Sequence, residues 1–196
     1  MERKDFESQN HLNDATYTAL GHIVVNFSLL LHTLEHSTAQ YIAGRDGGKY
    51  LLLGAAWGDR TASPIVSAFF SVFYQYWENS VSDNDGKVMK ALRSEIDAVV
   101  EKRNRLMHEY WGDPSVGGEE GPHEMSRLRV RAHGKGVEYV SIDESPEGLN
   151  AFASDINGLV TIIHRIVFYF HPNQAGPEVH SRFLIENGKV TVRPLA

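Results

Sequence analysis

Four stretches of this chain space their apolar residues three and four apart, and each ends at a helix-stopping signal. That period gathers apolar side chains on one side of a helix, which must then bury that side against another element. The first stretch runs from about Leu12 to Ala43 with Leu20, Ile23, Phe27, Leu30, Leu34, Tyr41 and Ile42, and Gly44 with the RDGGK run stops it. The second starts near Ser63, a capping residue, with Pro64 where a first turn tolerates proline, and ends near Glu78. It carries Ile65, Phe69, Val72, Phe73 and Tyr76. The third is capped by Asp83 or Asp85 and carries Val88, Leu92, Ile96, Val99, Leu106 and Tyr110. It is expected to reach Trp111, where Gly112-Asp113-Pro114 ends it. The fourth opens on Ser145-Pro146, carries Leu149, Phe152, Ile156, Leu159, Ile163, Ile166 and Phe170, and stops before Pro172. YLLLGAAW, after the first helix, reads as an apolar patch in a loop.

Two segments leave the helical period. RLRVRAHGKGVEYVSI alternates, as a hairpin does, and RFLIENGKVTV turns on Asn187-Gly188, a pair suited to a two-residue hairpin turn. The expected fold is therefore mainly α: an antiparallel four-helix bundle with a β-hairpin between its third and fourth helices and a C-terminal β-hairpin. Residues 112–144 form the insertion and 178–196 the final hairpin, all within a single domain of 1–196.

Composition narrows the chemistry. The chain has no cysteine, which excludes disulfides, thiolate nucleophiles and Cys-ligated metals. A net charge of -6 argues against a broad electrostatic grip on nucleic acid, and no DNA partner is expected. Arg127, Arg129 and Arg131 nonetheless alternate with Leu128 and Val130, forming one basic row suited to RNA phosphates. The competing reading is a solvated strand with edge-protecting charge. The N-terminus is polar, and the apolar runs Ile23–Leu31 and Leu159–Phe170 are interrupted and shorter than the ~20 residues of a membrane span. A cytoplasmic location without membrane attachment is expected. His32-Thr33-Leu34-Glu35-His36 fits an inverted zinc-peptidase pattern, but it has no identifiable third ligand. Two surface or interface histidines are the preferred reading, and no metal or other cofactor is expected.

The third helix holds the most unusual string, EKRNRLMHEYW, residues 101–111. Arg103 occupies a position where the apolar stripe should continue, so it needs a carboxylate or a phosphate against its charge. Glu35, beside Leu34 on the first helix, is the candidate carboxylate. On an extended helix Asn104, His108 and Trp111 share one line, and Arg103 and Tyr110 another. An Arg and a His without a metal suit phosphodiester cleavage by an internal ribose hydroxyl. The His moves the proton and the Arg stabilises charge on the phosphate. Asn104 is expected to fix the His ring.

Arg103-Asn104-x-x-x-His108 resembles the R-(N/D/H)-x-x-x-H signature of the HEPN superfamily. Those are four-helix-bundle proteins, many of them metal-independent endoribonucleases of toxin–antitoxin, CRISPR and other anti-phage systems. The resemblance covers roughly 12–111 and 145–171. It implies a homodimer with facing motifs, Arg103 and His108 as the catalytic pair, and Asn104 as the polar second residue. His108-Glu109-Tyr110 is also similar to the H-x-Y extension of HEPN toxins paired with nucleotidyltransferase antitoxins. That likeness makes Tyr110 the counterpart of the position the antitoxin modifies. The insertion and the C-terminal hairpin depart from a minimal toxin of this kind. Two functions follow from the resemblance: an endoribonuclease leaving a 2′,3′-cyclic phosphate, or a non-catalytic interaction or RNA-binding module in a defence or regulatory complex.

Overall fold

The computed structural model describes residues 3–44, 46–57, 60–77, 81–108, 110–112, 126–133, 136–142, 144–169 and 179–193. Of these, 3–12, 57, 110, 112, 126–133, 136–142 and 169 are described by backbone alone. The protein is mainly α-helical. In chain order it forms α1 (Arg3–Ala43), α2 (Gly47–Trp57), α3 (Ala62–Tyr76), α4 (Asp83–His108), β1 (Tyr110–Gly112), β2 (Ser126–His133), β3 (Gly136–Ile142), α5 (Pro146–Tyr169), α6 (Val179–Arg182), β4 (Phe183–Glu186) and β5 (Lys189–Val192). It divides into two compact units, one of residues 1–27 and 102–155, the other of 28–101 and 156–196.

Several helix ends follow their local chemistry. Gly44 adopts a φ of 58° just past α1, and its N–H returns to the Gln40 carbonyl at 2.9 Å. Ser145 starts α5 as expected, its hydroxyl accepting from the Gly148 N–H at 3.1 Å. Other ends differ from the sequence reading. The segment YLLLGAAW is not a loop but most of α2, because Asp46 caps it, taking the Gly48 and Lys49 N–H groups at 3.1 Å each. α3 begins at Ala62, ahead of Ser63, with Thr61 before it making no side-chain cap. α4 is capped by Ser82, whose hydroxyl accepts the Asp85 N–H at 3.2 Å. α1 begins at Arg3, not near Leu12. The Asp113-Pro114 and Pro172 stops, Glu78 and the Gly- and Glu-rich stretch 113–125 lie outside the described residues.

In the first unit, Ala19, Ile23 and Phe27 of α1, Leu106 of α4, and Leu149, Phe152 and Ala153 of α5 are buried. Polar contacts join the same elements. Asn26 donates to the Ala153 carbonyl at 2.9 Å, and His22 Nδ1 meets Asn150 Oδ1 at 3.1 Å. Lys102 Nζ lies 4.5 Å from the centre of the Phe152 ring and 3.7 Å from Glu144 Oε1. A three-stranded antiparallel sheet of order β1-β2-β3 completes the unit.

In the second unit the aromatic run of α3 supplies the core. Phe69, Phe70 and Phe73 are fully buried, and Tyr41 meets Phe73 edge-on at 6.3 Å. Tyr74 and Tyr76 of the same run remain exposed. The Asn187-Gly188 turn joins β4 to β5 with both residues at positive φ, 51° and 79°, as a type I′ hairpin requires.

Asp85 ties α6 to α4. Its buried carboxylate accepts from the Ser82 N–H (3.2 Å) and hydroxyl (2.6 Å), and from the His180 N–H (2.8 Å). It also meets His180 Nδ1 at 2.8 Å. Burial pushes the Asp85 pKa up, but the hydrogen bonds from Ser82 and His180 outweigh it and hold the carboxyl below its ordinary value.

Two helical segments, Asn13–Ala43 and Pro146–Phe168, have the length and apolar content of a membrane span. Core helices pass the same test, and both contribute buried side chains here.

Candidate functional site

Arg103 enters the last two turns of α4 on the side that carries Val99 and Leu106, both buried. A guanidinium there needs a partner of some kind, and the structure supplies two. Its Cζ lies 5.0 Å from the centre of the Phe27 ring of α1, and its Nη1 donates to Asn104 Oδ1 at 3.2 Å. The Arg103 Nε is sealed from solvent and has no acceptor among the described residues. An unsatisfied buried donor is uncommon and asks for an explanation. Glu35 belongs to the second unit and Arg103 to the first, and each is described with partners of its own unit.

Asn104 therefore engages Arg103, where the sequence reading aimed it at the His108 ring. Adjacent helix positions do not face each other, so it is the length of the Arg103 side chain that brings its Nη1 round to the Asn104 amide. His108 is the last residue of α4 and is exposed. It has no hydrogen-bond or ring partner among the described residues.

The expectation that the helix reaches Trp111 is corrected. α4 ends at His108, and Tyr110–Gly112 form β1, so Trp111 does not continue the line of Asn104 and His108. Two interactions turn the chain here. β1 pairs with β2, Trp111 opposite Arg127 and Tyr110 opposite Leu128. The indole N–H of Trp111 then donates to the Leu106 carbonyl at 2.7 Å, one of the carbonyls a helix end leaves without an internal partner. The Tyr110 side chain lies outside the described residues.

β2 places Arg127, Arg129 and Arg131 at alternate positions, opposite Ile142, Val140 and Glu138 of β3. Their side chains also lie outside the described residues. The first unit thus holds Arg103, Asn104, His108, Trp111 and the backbone of the basic row.

The zinc-peptidase pattern folds into a hydrogen-bonded cluster. His32 and His36 stack with ring centres 6.1 Å apart, Gln40 Nε2 lies 2.9 Å from His36 Nε2, and the Tyr50 hydroxyl meets His36 Nδ1. Both His36 nitrogens are thus engaged. Burial, then the neighbouring His32 and His164, lower the His36 pKa. Among the described residues no group of three or more His, Asp or Glu side chains is placed to hold a metal ion. Glu35 lines a shallow recess with Thr38, Arg60, Ile65 and Ala68. Burial raises its pKa, and nearby His32 opposes the rise.

Phe27 is the site residue that sequence reasoning passed over. It stands in the apolar stripe of the first helix and reads as ordinary core. The signal was the pair of anomalies together, an Arg within one stripe and an aromatic within another. It becomes readable only once the two stripes are known to meet. In comparison with known proteins, the chain matches no family model, no curated protein and no solved structure.

Proposed function

We propose that this chain is a HEPN-type, metal-independent endoribonuclease built on an antiparallel four-helix bundle and acting as a cytoplasmic homodimer. The observation that carries the reading is Arg103: a guanidinium with no ion pair among the described residues, on the same helix end as the exposed His108. A phosphodiester supplies the negative charge that such a cation lacks.

The chemistry follows from those two groups. The ribose 2′-oxygen forms a bond to phosphorus as the bond to the 5′-oxygen breaks, leaving a 2′,3′-cyclic phosphate. His108 transfers protons, as base toward the 2′-hydroxyl or as acid toward the departing 5′-oxygen. Arg103 holds the phosphate and stabilises the charge that builds on it. Arg127, Arg129 and Arg131 lead the RNA backbone along β2. Tyr110 is the candidate modification point, and an antitoxin or defence-system protein is the candidate partner. No cofactor enters this chemistry.

One observation favours the second reading, a non-catalytic interaction or RNA-binding module. His108 has no partner among the described residues to fix its ring. A catalytic His is ordinarily oriented by a neighbour.

The test is incubation with total RNA and with a tRNA pool in EDTA, with Arg103→Ala and His108→Ala beside the unaltered protein. Cyclic-phosphate ends produced by the unaltered protein alone support the ribonuclease. RNA binding without cleavage supports the module.

A further inference from the structure

We infer that Phe27 and Asn104 are positioning residues that preset the Arg103 guanidinium to receive one phosphodiester. The inference rests on the reading above and deepens it by naming what holds the Arg.

A guanidinium carries five N–H donors in one plane. Nε–H and one N–H of Nη2 point along one edge, while Nη1 lies across from them. Asn104 Oδ1 takes Nη1, at 3.2 Å. The guanidinium lies over the Phe27 ring, Cζ 5.0 Å from its centre, and Phe27 is itself only 4% exposed. A buried ring is a rigid platform, and a cation over it is held by the ring's negative face. Phe27 and Asn104 therefore hold the guanidinium from two sides of the chemistry, one through its charge and one through a hydrogen bond. On the remaining edge neither Nε nor Nη2 has an acceptor among the described residues, and Nε is sealed from solvent. Nη2 is thus the donor left for a phosphate oxygen. Asp and Glu side chains present such oxygens too, yet no ion pair of Arg103 occurs among the described residues.

The experiment measures binding of a 2′-O-methyl oligouridylate, which keeps its phosphates but has no attacking hydroxyl, by fluorescence anisotropy on the full chain. The expected result is about threefold to tenfold weaker binding for Phe27→Leu, the worth of a desolvated cation–ring contact. Asn104→Ala, an exposed position less exposed to folding failure, weakens binding similarly. Arg103→Ala weakens it by about tenfold or more. The deciding arm is the double-mutant cycle: on the Arg103→Ala background neither Phe27→Leu nor Asn104→Ala weakens binding further.

Equal losses on both backgrounds would make the two residues merely structural and overturn the proposal. So would variants that bind as the unaltered protein does, or an unaltered protein that binds no better than Arg103→Ala. Cleavage assayed alongside separates the two readings. Coupled binding without cleavage keeps the positioning roles and removes the ribonuclease. Cleavage that needs Arg103 and His108 but shows no coupling to Phe27 or Asn104 does the reverse.

Discussion

The two ends of α4 treat charge in opposite ways. At the N-terminal end the Asp85 carboxylate is buried and takes hydrogen bonds from Ser82 and from both the backbone and the ring of His180. At the C-terminal end the Arg103 guanidinium has an aromatic ring, one amide oxygen and a sealed donor with nothing described to accept from it. A charge that serves the fold is closed off by partners from its own chain. The charge proposed here to serve a ligand has no ion pair among the described residues. Asp85 reaches back to the Ser82 cap of α4 and across to hold α6, whereas Arg103 interrupts an apolar stripe with no comparable structural return.

The comparison breaks first under paired substitution. Asp85→Ala should cost about 3 kcal/mol of stability, since it strips a buried charge from the donors of Ser82 and His180. Arg103→Leu should leave stability unchanged or raise it, because an apolar side chain restores the stripe beside Val99 and Leu106. Urea unfolding of both measures the contrast, and an equal loss from each would erase it. In the proposed RNA cleavage the order should reverse. Arg103→Ala and His108→Ala should each lower the rate by roughly a hundredfold or more, while Asp85→Ala, assayed well below its melting point, should cleave normally.

A smaller effect sharpens the picture of the C-terminal end. Trp111→Phe keeps the ring but removes the donor to the Leu106 carbonyl, and should cost about 1 kcal/mol. Unfolding of that variant checks it.

The pH dependence contrasts Asp85 with a carboxylate that lacks its hydrogen bonds. Asp85 has a folded pKa below its ordinary 3.8. Its stabilisation is therefore fully present above that value and is lost as pH falls through the lower folded one. Urea midpoints followed from pH 6 to about pH 3 should fall more steeply for the unaltered protein than for Asp85→Asn. Glu35 has the opposite sign, its folded pKa lying above its ordinary 4.5 because of burial. Its contribution is fully present below that ordinary value and is lost as pH rises through the folded one. Glu35→Gln should thus raise the midpoint slightly at pH 7 and leave it unchanged at acid pH. This is the smallest of the expected effects.

What the sequence made legible was whatever is written in local period and local chemistry. α5 starts where Ser145-Pro146 said it would, α1 stops at Gly44, and both hairpins fall where the alternation and Asn187-Gly188 put them. The elements it hid depend on partners distant in sequence or on too few residues to show a period. α2 has a cap in Asp46, but Leu51 and Leu52 are each 72% exposed, so no buried stripe marks it as a helix. β1 is three residues long and is a strand only because β2 lies beside it. The Arg103 anomaly was visible as an Arg out of place. That a Phe from another helix answers it was not, since nothing in one stripe says which residue of another it will touch.

The short strand after His108 has a consequence for motion. The last turn of a helix ordinarily frays, opening and closing far more often than its middle. Here the turn that carries His108 is closed from beyond its end, by a ladder from Tyr110 to Gly112 and by an indole fastened to the Leu106 carbonyl. Amide hydrogens of Leu106, Met107 and His108 should exchange with solvent on a timescale set by the sheet, not by the helix terminus. The residue proposed to move protons would then sit on a thermally quiet backbone, and its mobility would be confined to the imidazole itself.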